Sequence, residues 1–497
     1  MQEDYIKLIF GLKIKQIRTA KDLSLFKLSK MTGLSKSYLN EIEKGKKYPK
    51  TDKIILLAEA FEVPYDELVS LKLDKNLAPV AEILQSNLLK EIPLDLFGIE
   101  ERDLIEIISN APMKVNAFIS TLIEIGNNYN LTRESFFLAS LRSFQEANDN
   151  YFPEIEVAAK NFIKHYTVKE EGEVVSDELM IEILKEEYGY EIFFEDFKAY
   201  KRQELGKLRS IFIESKKHLY INIDSAVDQK RFILAKELGY NYLELKERLN
   251  TYSWVAFENF DQLLNNFYAS YFAGALLLPE DELVNKMTEL FAEEQHDTKN
   301  FLKLFVNYTE SPETVYQRMT NLLPKHFNIK DLFFLRLTTK VGSGNYKLTK
   351  ELHLNQQQSP QANETDEHYC RRWVSLNVLK QLEQSEFEED KHIISSQISI
   401  YPYNNNQKYY VISSATKDPF NPNYLRSVTI GLLHKSAQRK VKFLNDPEIP
   451  VREVAVTCEN CGMENCLERV APPKRFAKDI HSKRLSVIVN EFIKEKS

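Results

Sequence analysis

Residues 23–61 read LSLFKLSKMTGLSKSYLNEIEKGKKYPKTDKIILLAEAF. Ser24 stands as an N-cap before Leu25, Leu28 and Met31, whose spacing predicts a short amphipathic helix. That helix stops at Thr32-Gly33-Leu34, where Gly33 can take the positive φ that a tight interhelical turn needs. Ser35 caps a second helix over 36–44, with Leu39 and Ile42 inward, and Gly45 ends it. Leu8, Leu12, Ile14 and Ile17 predict a helix upstream; Ile54, Leu57, Ala58 and Phe61 predict one downstream, with a further short helix over 65–71. Two short helices joined by a glycine-containing turn form a helix-turn-helix, whose second helix enters the major groove of DNA.

Charge supports that geometry. The chain is −7 overall, yet from Lys13 to Lys53 there are twelve basic and four acidic residues, a local +8. Lys36, Ser37, Tyr38 and Asn40 are expected to reach base edges. Lys44, Lys46, Lys47 and Lys50 suit phosphate contacts, and Gln16 and Arg18 suit a backbone clamp from the preceding helix. The competing reading is a protein-binding helical bundle with a solvated lysine face. Residues 23–61 resemble the xenobiotic-response-element (lambda and 434 repressor-like) helix-turn-helix family, which implies a double-stranded DNA operator as partner.

The remaining length implies further domains. At 497 residues and 58.1 kDa, three or four are expected. Hydrophobic residues at 43% and charged residues at 28% exclude wholesale disorder. Glycine is scarce, 14 in all, and no GxGxxG or GxxxxGK[ST] phosphate cradle occurs. The longest apolar stretch, 268–279, is about half of the roughly 20 residues a membrane span requires. No export signal opens the chain, so a cytoplasmic protein with reduced thiols and no membrane partner is expected.

Residues 80–165 show helical periodicity (Leu94, Leu96, Leu104, Ile107, Ile108, Phe118, Leu122, Ile125) and read as an all-α connector. Phe136, Phe137, Phe144, Tyr151 and Phe152 read as core. Strand-like runs then occupy 208–214 and 218–223 around a turn at 215–217, followed by a helix over 229–245. This order resembles the IrrE/ImmA-like zinc peptidase fold, whose helix carries HExxH with two histidine ligands and a general-base glutamate. The matching positions here are Lys236, Glu237 and Tyr240, and the family's third ligand position is Asn266. With all three ligands gone, the expectation is a retained fold and no enzyme. Glu237 beside Lys236 reads as a solvated helix pair without a catalytic role. Phe267, Tyr268, Tyr271, Phe272 and Leu276 read as helix core, with the lining of a retained cleft as the alternative.

A helix over 313–323 and strands over 332–338, 393–401 and 408–416 predict an α+β C-terminal domain. Its tail carries Cys458-x-x-Cys461-x-x-x-x-Cys466; the fourth cysteine is Cys370, in HYCRRW. A CxxC turn lets two thiolates approach one metal, and a third four residues on closes a face of the site. Cys370 is the candidate fourth ligand and His434 the runner-up. Three close cysteines with one distant one resemble [4Fe–4S] ligation, with Zn as the alternative and free buried thiols as the competing reading.

Over nearly its whole length the chain resembles the short-chain fatty acyl transcriptional regulators. The residues that carry this are YFPEIEVAA (151–159), CRRW (370–373), VTIGLL (428–433) and CENCGMENCLERVAPP (458–473), with Arg469, Pro472 and Pro473 matching the family's Arg and Pro-Pro pair. Arg371 departs from the usual Pro after the cysteine, and His434 stands where a further cysteine often follows. The resemblance implies a sensor of short-chain acyl-CoA that binds an iron–sulfur cluster. The expected fold is mainly α and multidomain. An all-α helix-turn-helix domain (1–72) leads through a helical connector (73–165) to an α+β zincin-like middle domain without metal ligands (166–310). An α+β sensor domain with the cysteine cluster (311–497) follows. The expected assembly is a homodimer, whose two modules must span half-sites roughly 34 Å apart. Two rivals remain: a phage-type repressor or antitoxin with no small-molecule ligand, and an active metallopeptidase, which the absent histidines oppose.

Overall fold

The computed structural model describes residues 2–70, 133–166, 175–200, 205–206, 208–250, 257–302, 304, 311–354, 368–385, 393–402, 406–418, 421 and 423–496. The apolar positions of the expected connector from Leu94 to Ile125 lie outside these. The chain is mainly helical and multidomain, and it divides into compact units at 1–140 and 141–497.

In the first unit, α1 (Gln2–Ala20), α2 (Leu25–Thr32), α3 (Lys36–Glu43), α4 (Thr51–Phe61) and α5 (Tyr65–Val69) follow the sequence reading closely. Ser24 Oγ accepts from the Lys27 N–H at 3.1 Å and Ser35 Oγ from the Tyr38 N–H at 3.2 Å, so both expected N-caps form. Gly33 lies at φ 72°, closing α2 in the left-handed region. Phe10, Ile14, Leu28, Leu39, Ile42, Leu57 and Phe61 make one buried core. Gly11 lets α1 meet α3 backbone to backbone, since a Cβ there would lie 2.2 Å from the Ile42 carbonyl oxygen. A further helix, α6 (Arg133–Ala147), spans the division between the units.

The second unit opens with α7 (Pro153–Tyr166) and α8 (Asp177–Glu186), then a three-stranded sheet. That sheet has order β1-β3-β2: β1 (Glu191–Glu195) lies parallel to β3 (His218–Asn222), and β2 (Ser210–Ile213) antiparallel to it. Next come α9 (Val227–Tyr242), α10 (Phe260–Leu277), α11 (Glu280–Ala292) and α12 (Thr298–Leu302). Phe152, Ile155, Ala159 and Phe162 join Leu234, Leu238, Tyr271, Phe272 and Leu276 in one core. Residues 153–166, expected in a separate connector, are therefore part of this body, because α7 buries its apolar stripe against α10.

The C-terminal part is a six-stranded sheet of order β5-β4-β8-β7-β6-β9. Its strands are β4 (Leu332–Lys340), β5 (Tyr346–Leu354), β6 (Ile393–Tyr401), β7 (Gln407–Lys417), β8 (Tyr424–Leu433) and β9 (Val451–Glu453). The strand period of two separates its faces. Phe334, Leu332 and Ile430 pack against α13 (Pro312–Phe327), whereas Phe333, Leu335 and Val411 pack against α14 (Val374–Gln384). After β8 come α15 (His434–Ala437) and, at the end of the described chain, α16 (Lys474–Lys496).

A buried ion pair ties the two halves of this unit. Arg318 on α13, 1% exposed, donates through both terminal nitrogens to Glu156 on α7 at 2.5 and 2.7 Å, and through Nε to the Leu278 carbonyl at 3.0 Å. Tyr271 of α10 donates its hydroxyl to the same Glu156 at 2.7 Å. A buried charge left without its partner costs about 3–5 kcal/mol. Arg318→Met is expected to destabilise the second unit by about that amount. The check is the denaturant midpoint followed by near-UV circular dichroism.

Candidate functional site

Four places in the chain gather polar chemistry. The first is the exposed edge of α3. Lys36, Ser37, Asn40, Lys44, Lys46, Lys47 and Lys50 are exposed and Tyr38 half-buried, while Leu39 and Ile42 point inward. Lys36 and Lys30 both lie over the Phe26 ring, at 4.4 and 4.7 Å. Lys47 pairs with Glu41 at 2.8 Å.

Two basic residues of the +8 segment face inward instead. Arg18 makes a bidentate pair with Glu43 at 2.6 and 3.0 Å and donates to the Leu23 carbonyl. Its expected role as a phosphate clamp is corrected: the guanidinium ties α1 to the end of α3 and so sets the angle of the recognition helix. Lys13, 8% exposed, donates to the Glu67 and Ser70 carbonyls and satisfies the open end of α5. Gln16 is half-buried on α1.

The second place is on α9, around Lys236, Glu237 and Tyr240. Lys236, Tyr240 and Asn266 do converge: Asn266 Oδ1 accepts from Lys236 Nζ at 2.6 Å and from the Tyr240 hydroxyl at 3.4 Å. Lys236 and Glu237 are 5% and 6% exposed, so the expected solvated pair is corrected to a buried polar cluster. Both Glu237 carboxylate oxygens accept from Arg248 Nη2, at 2.6 and 2.8 Å, and Oε2 also accepts from the Tyr190 hydroxyl at 3.0 Å, groups brought by the segment after α9 and the residue before β1. Burial lowers the Lys236 amine to about 8, which leaves it largely cationic at neutral pH. These donors do not fit a zinc ion. An ammonium group stands where the metal charge would be, beside a neutral amide and a phenol. Tyr271, Phe272 and Leu276 are core, with Phe267 and Tyr268 packed on it, as the helix-core reading expects.

The third place lies where β4, β5 and β8 meet the start of α13. Arg336 and Lys350 are directly paired across β4 and β5, and Arg426 lies diagonally on β8. All three approach Glu313, at 3.0 Å for Arg336, 3.6 Å for Lys350 and 3.5 Å for Arg426. Burial alone would raise the Glu313 carboxyl, but Arg336, Lys350, Arg426 and Arg209 hold it well below the usual range. Burial lowers Lys350 and Arg426, and in each case Arg336 and Arg209 add to the shift. Lys350 is still 47% exposed along its side chain, so solvent reaches the edge of this cluster. Four cations thus share one carboxylate, with Asp418 acting on Arg426 from further out.

The fourth is the cysteine loop. All four cysteines line one small cavity with Arg371, Arg372, Met463 and Arg469. Cys370 reaches it through a two-segment bridge: its N–H donates to the Val456 carbonyl, and the Cys458 N–H donates to the His368 carbonyl. Arg469 holds the loop by donating to the carbonyls of Cys458 and Cys461, each at 3.2 Å, and of Met463. Burial pushes the Cys370 thiol up to about 11, with Cys461 and Cys458 adding to the shift. Arg371 donates to the Gly344 carbonyl at 3.1 Å and lies over the Tyr346 ring, Arg372 donates to Met463 Sδ at 3.7 Å, and Glu453 and Glu468 also line the cavity. Four cysteine thiols around one cavity are the donor type that thiolate-bound metal centres use. Among the described residues, no three His, Cys, Asp or Glu side chains are arranged to hold a metal ion. His434 is not among the residues lining the cavity.

Comparison with known proteins agrees with the first two places. Residues 14–68 match the family described as Helix-turn-helix, and residues 185–320 match the IrrE N-terminal-like domain. Residues 14–68 are a helix-turn-helix domain, the DNA-binding part of this chain. A solved Mycobacterium tuberculosis transcriptional regulator aligns with 67% of this chain and 92% of its own, at 18% identity and a TM-score of 0.45. The comparison with curated proteins gives no match. Among the described residues, no helix is long and apolar enough to cross a membrane.

The duplex that binds best can be selected from random sequence. Asn40→Ala with Lys36→Ala is expected to weaken its binding at least tenfold at fixed salt, without changing the melting of the module. Gel-shift titration checks this. Lys46→Ala is expected to weaken all duplexes alike and to flatten the salt dependence. In the zincin helix, combining Lys236→His, Tyr240→His and Asn266→Glu is expected to create a zinc site. Equilibrium dialysis against zinc, comparing the triple variant with the parent chain, reads the gain of one ion per chain.

Proposed function

We propose that the chain is a cytoplasmic, homodimeric transcription regulator that releases or engages its operator in response to an anionic metabolite, a short-chain acyl-CoA. The observation that carries this reading is the partly exposed cluster in which Arg336, Lys350 and Arg426 share the Glu313 carboxylate, with Arg209 adding its charge. Like charges on neighbouring strands destabilise a sheet, so surplus cations are a natural seat for a phosphate-bearing ligand. The peptidase-type domain supports it in a second way. Its catalytic positions hold Lys236, Tyr240 and Asn266, which suit a binding body rather than a hydrolase. On this reading the chain is not an enzyme.

The thiol cavity is the proposed cofactor site. Cys370, Cys458, Cys461 and Cys466 would hold a [4Fe–4S] cluster, with Zn as the alternative, and a cluster would make the regulator responsive to oxidants or redox state. Effector binding need only alter the separation of two α3 helices, since a dimer reads half-sites about 34 Å apart. Misplaced modules keep phosphate attraction and lose the specific site.

A thermal-shift screen separates this from a repressor or antitoxin without a ligand. Short-chain acyl-CoA thioesters are expected to raise the midpoint, whereas the matching pantetheine thioesters, which lack the nucleotide phosphates, are not. Lys350→Met with Arg336→Met is expected to reduce CoA-thioester affinity more than tenfold. No shift with any thioester would favour the ligand-free repressor. For the cofactor, anaerobically purified chain is expected to contain iron and acid-labile sulfide, with visible absorbance lost in Cys461→Ser. One zinc per chain and a colourless preparation would select the alternative.

A further inference from the structure

Phe26, the second residue of α2, is 51% exposed, and two ammonium groups converge on its ring. Lys30, one turn further along α2, lies 4.7 Å from the ring centroid; Lys36, which opens α3, lies at 4.4 Å. Both are inside the distance of about 6 Å at which the negative face of an aromatic ring attracts a cation. Among the described residues neither lysine forms an ion pair, so the ring is what holds each of them.

The turn between the two helices fixes this arrangement. Ser29 Oγ donates to the Leu34 carbonyl at 2.6 Å, and the Leu34 N–H donates to Thr32 Oγ1 at 3.3 Å. With Gly33 in the left-handed region and Ser35 capping α3, the start of α3 is held against the face of α2 that carries Phe26. A lysine left free in water samples many rotamers, and one stacked on a ring of fixed position keeps few of them.

Lys36 also stands where a helix favours an acid. The first turn of α3 has no acidic residue, whereas α8 opens with Asp177 and Glu178, and α11 with Glu280, Asp281 and Glu282. A cation at a helix N-terminus opposes the macrodipole, so α3 itself gains nothing from this lysine. The N-terminal side chains of a recognition helix are the ones that reach base edges, and a lysine there suits guanine O6 and N7.

We propose that Phe26 is a positioning residue for sequence reading: its ring holds the Lys36 ammonium so that Lys36 meets a guanine edge at one fixed base pair. This rests on the assignment of Lys36 to a base edge and names the residue that aims it. Phe26 acts through Lys36, so its effect is confined to the base pair that Lys36 reads. A contact from Phe26 to the DNA backbone would instead act on every duplex.

The test is a gel-shift double-mutant cycle on the full chain, with the selected duplex and its single-base-pair variants at fixed salt. Lys36→Met is expected to erase the preference at one base pair. Phe26→Leu keeps an apolar side chain and removes the aromatic face. It is expected to bind the selected duplex about fivefold more weakly and to flatten the preference at that same base pair, with unrelated duplexes bound as before. Phe26→Tyr is expected to retain the parent profile, and Phe26→Leu to add nothing in the Lys36→Met background. An intact base preference in Phe26→Leu overturns the proposal, as does an equal loss on every duplex or an undiminished loss without Lys36. If Lys36→Met leaves every preference intact, the base-edge assignment of Lys36 falls as well.

Discussion

The pair between Glu156 and Arg318 is the constraint on which the second unit depends. Both groups are buried, and each is satisfied only by elements that are distant in sequence: α7, the end of α10, and α13. Desolvating two charges is expensive, and the expense is offset only where geometry and extra hydrogen bonds are complete. The Tyr271 hydroxyl and the Leu278 carbonyl complete them here. Placing α13 in this way also sets Glu313, at its first turn, over the strands that carry Arg336, Lys350 and Arg426. The cation cluster is thus a consequence of the buried pair one and a half turns further along the same helix.

The zincin-like helix shows what can stand in for a lost metal. A zinc ion supplies positive charge and draws three elements together. Lys236, held by Asn266 and lying beside the Tyr240 ring, retains a cation and a link between α9 and α10. Glu237, which in the peptidase family would serve water, is occupied by Arg248. In this domain these residues tie α9 to α10 and to the segment that follows α9.

Much was legible in the chain itself where the signal was local. Caps, turn glycines and the spacing of Leu28, Leu39, Ile42 and Phe61 marked the helix-turn-helix because capping and periodicity act over a few residues. Arg18 and Glu237 were misread for one reason: a charged side chain looks the same in sequence whether it faces water or a partner far along the chain. The parallel strand β1 escaped notice because it pairs with β3 across 27 residues. Strand β5 and helix α16 were also missed.

By itself, the sequence determined the helix-turn-helix module, the identities Lys236, Tyr240 and Asn266, and the short spacing of Cys458, Cys461 and Cys466. These follow from residue identity at short spacing. Only the tertiary structure decided that Cys370 and not His434 lines a cavity with the other cysteines, that Arg18 supports α3 from within, and that cations from three strands meet Glu313 at a helix start. Those are long-range juxtapositions, set by which faces the chain must bury, and no local pattern records them.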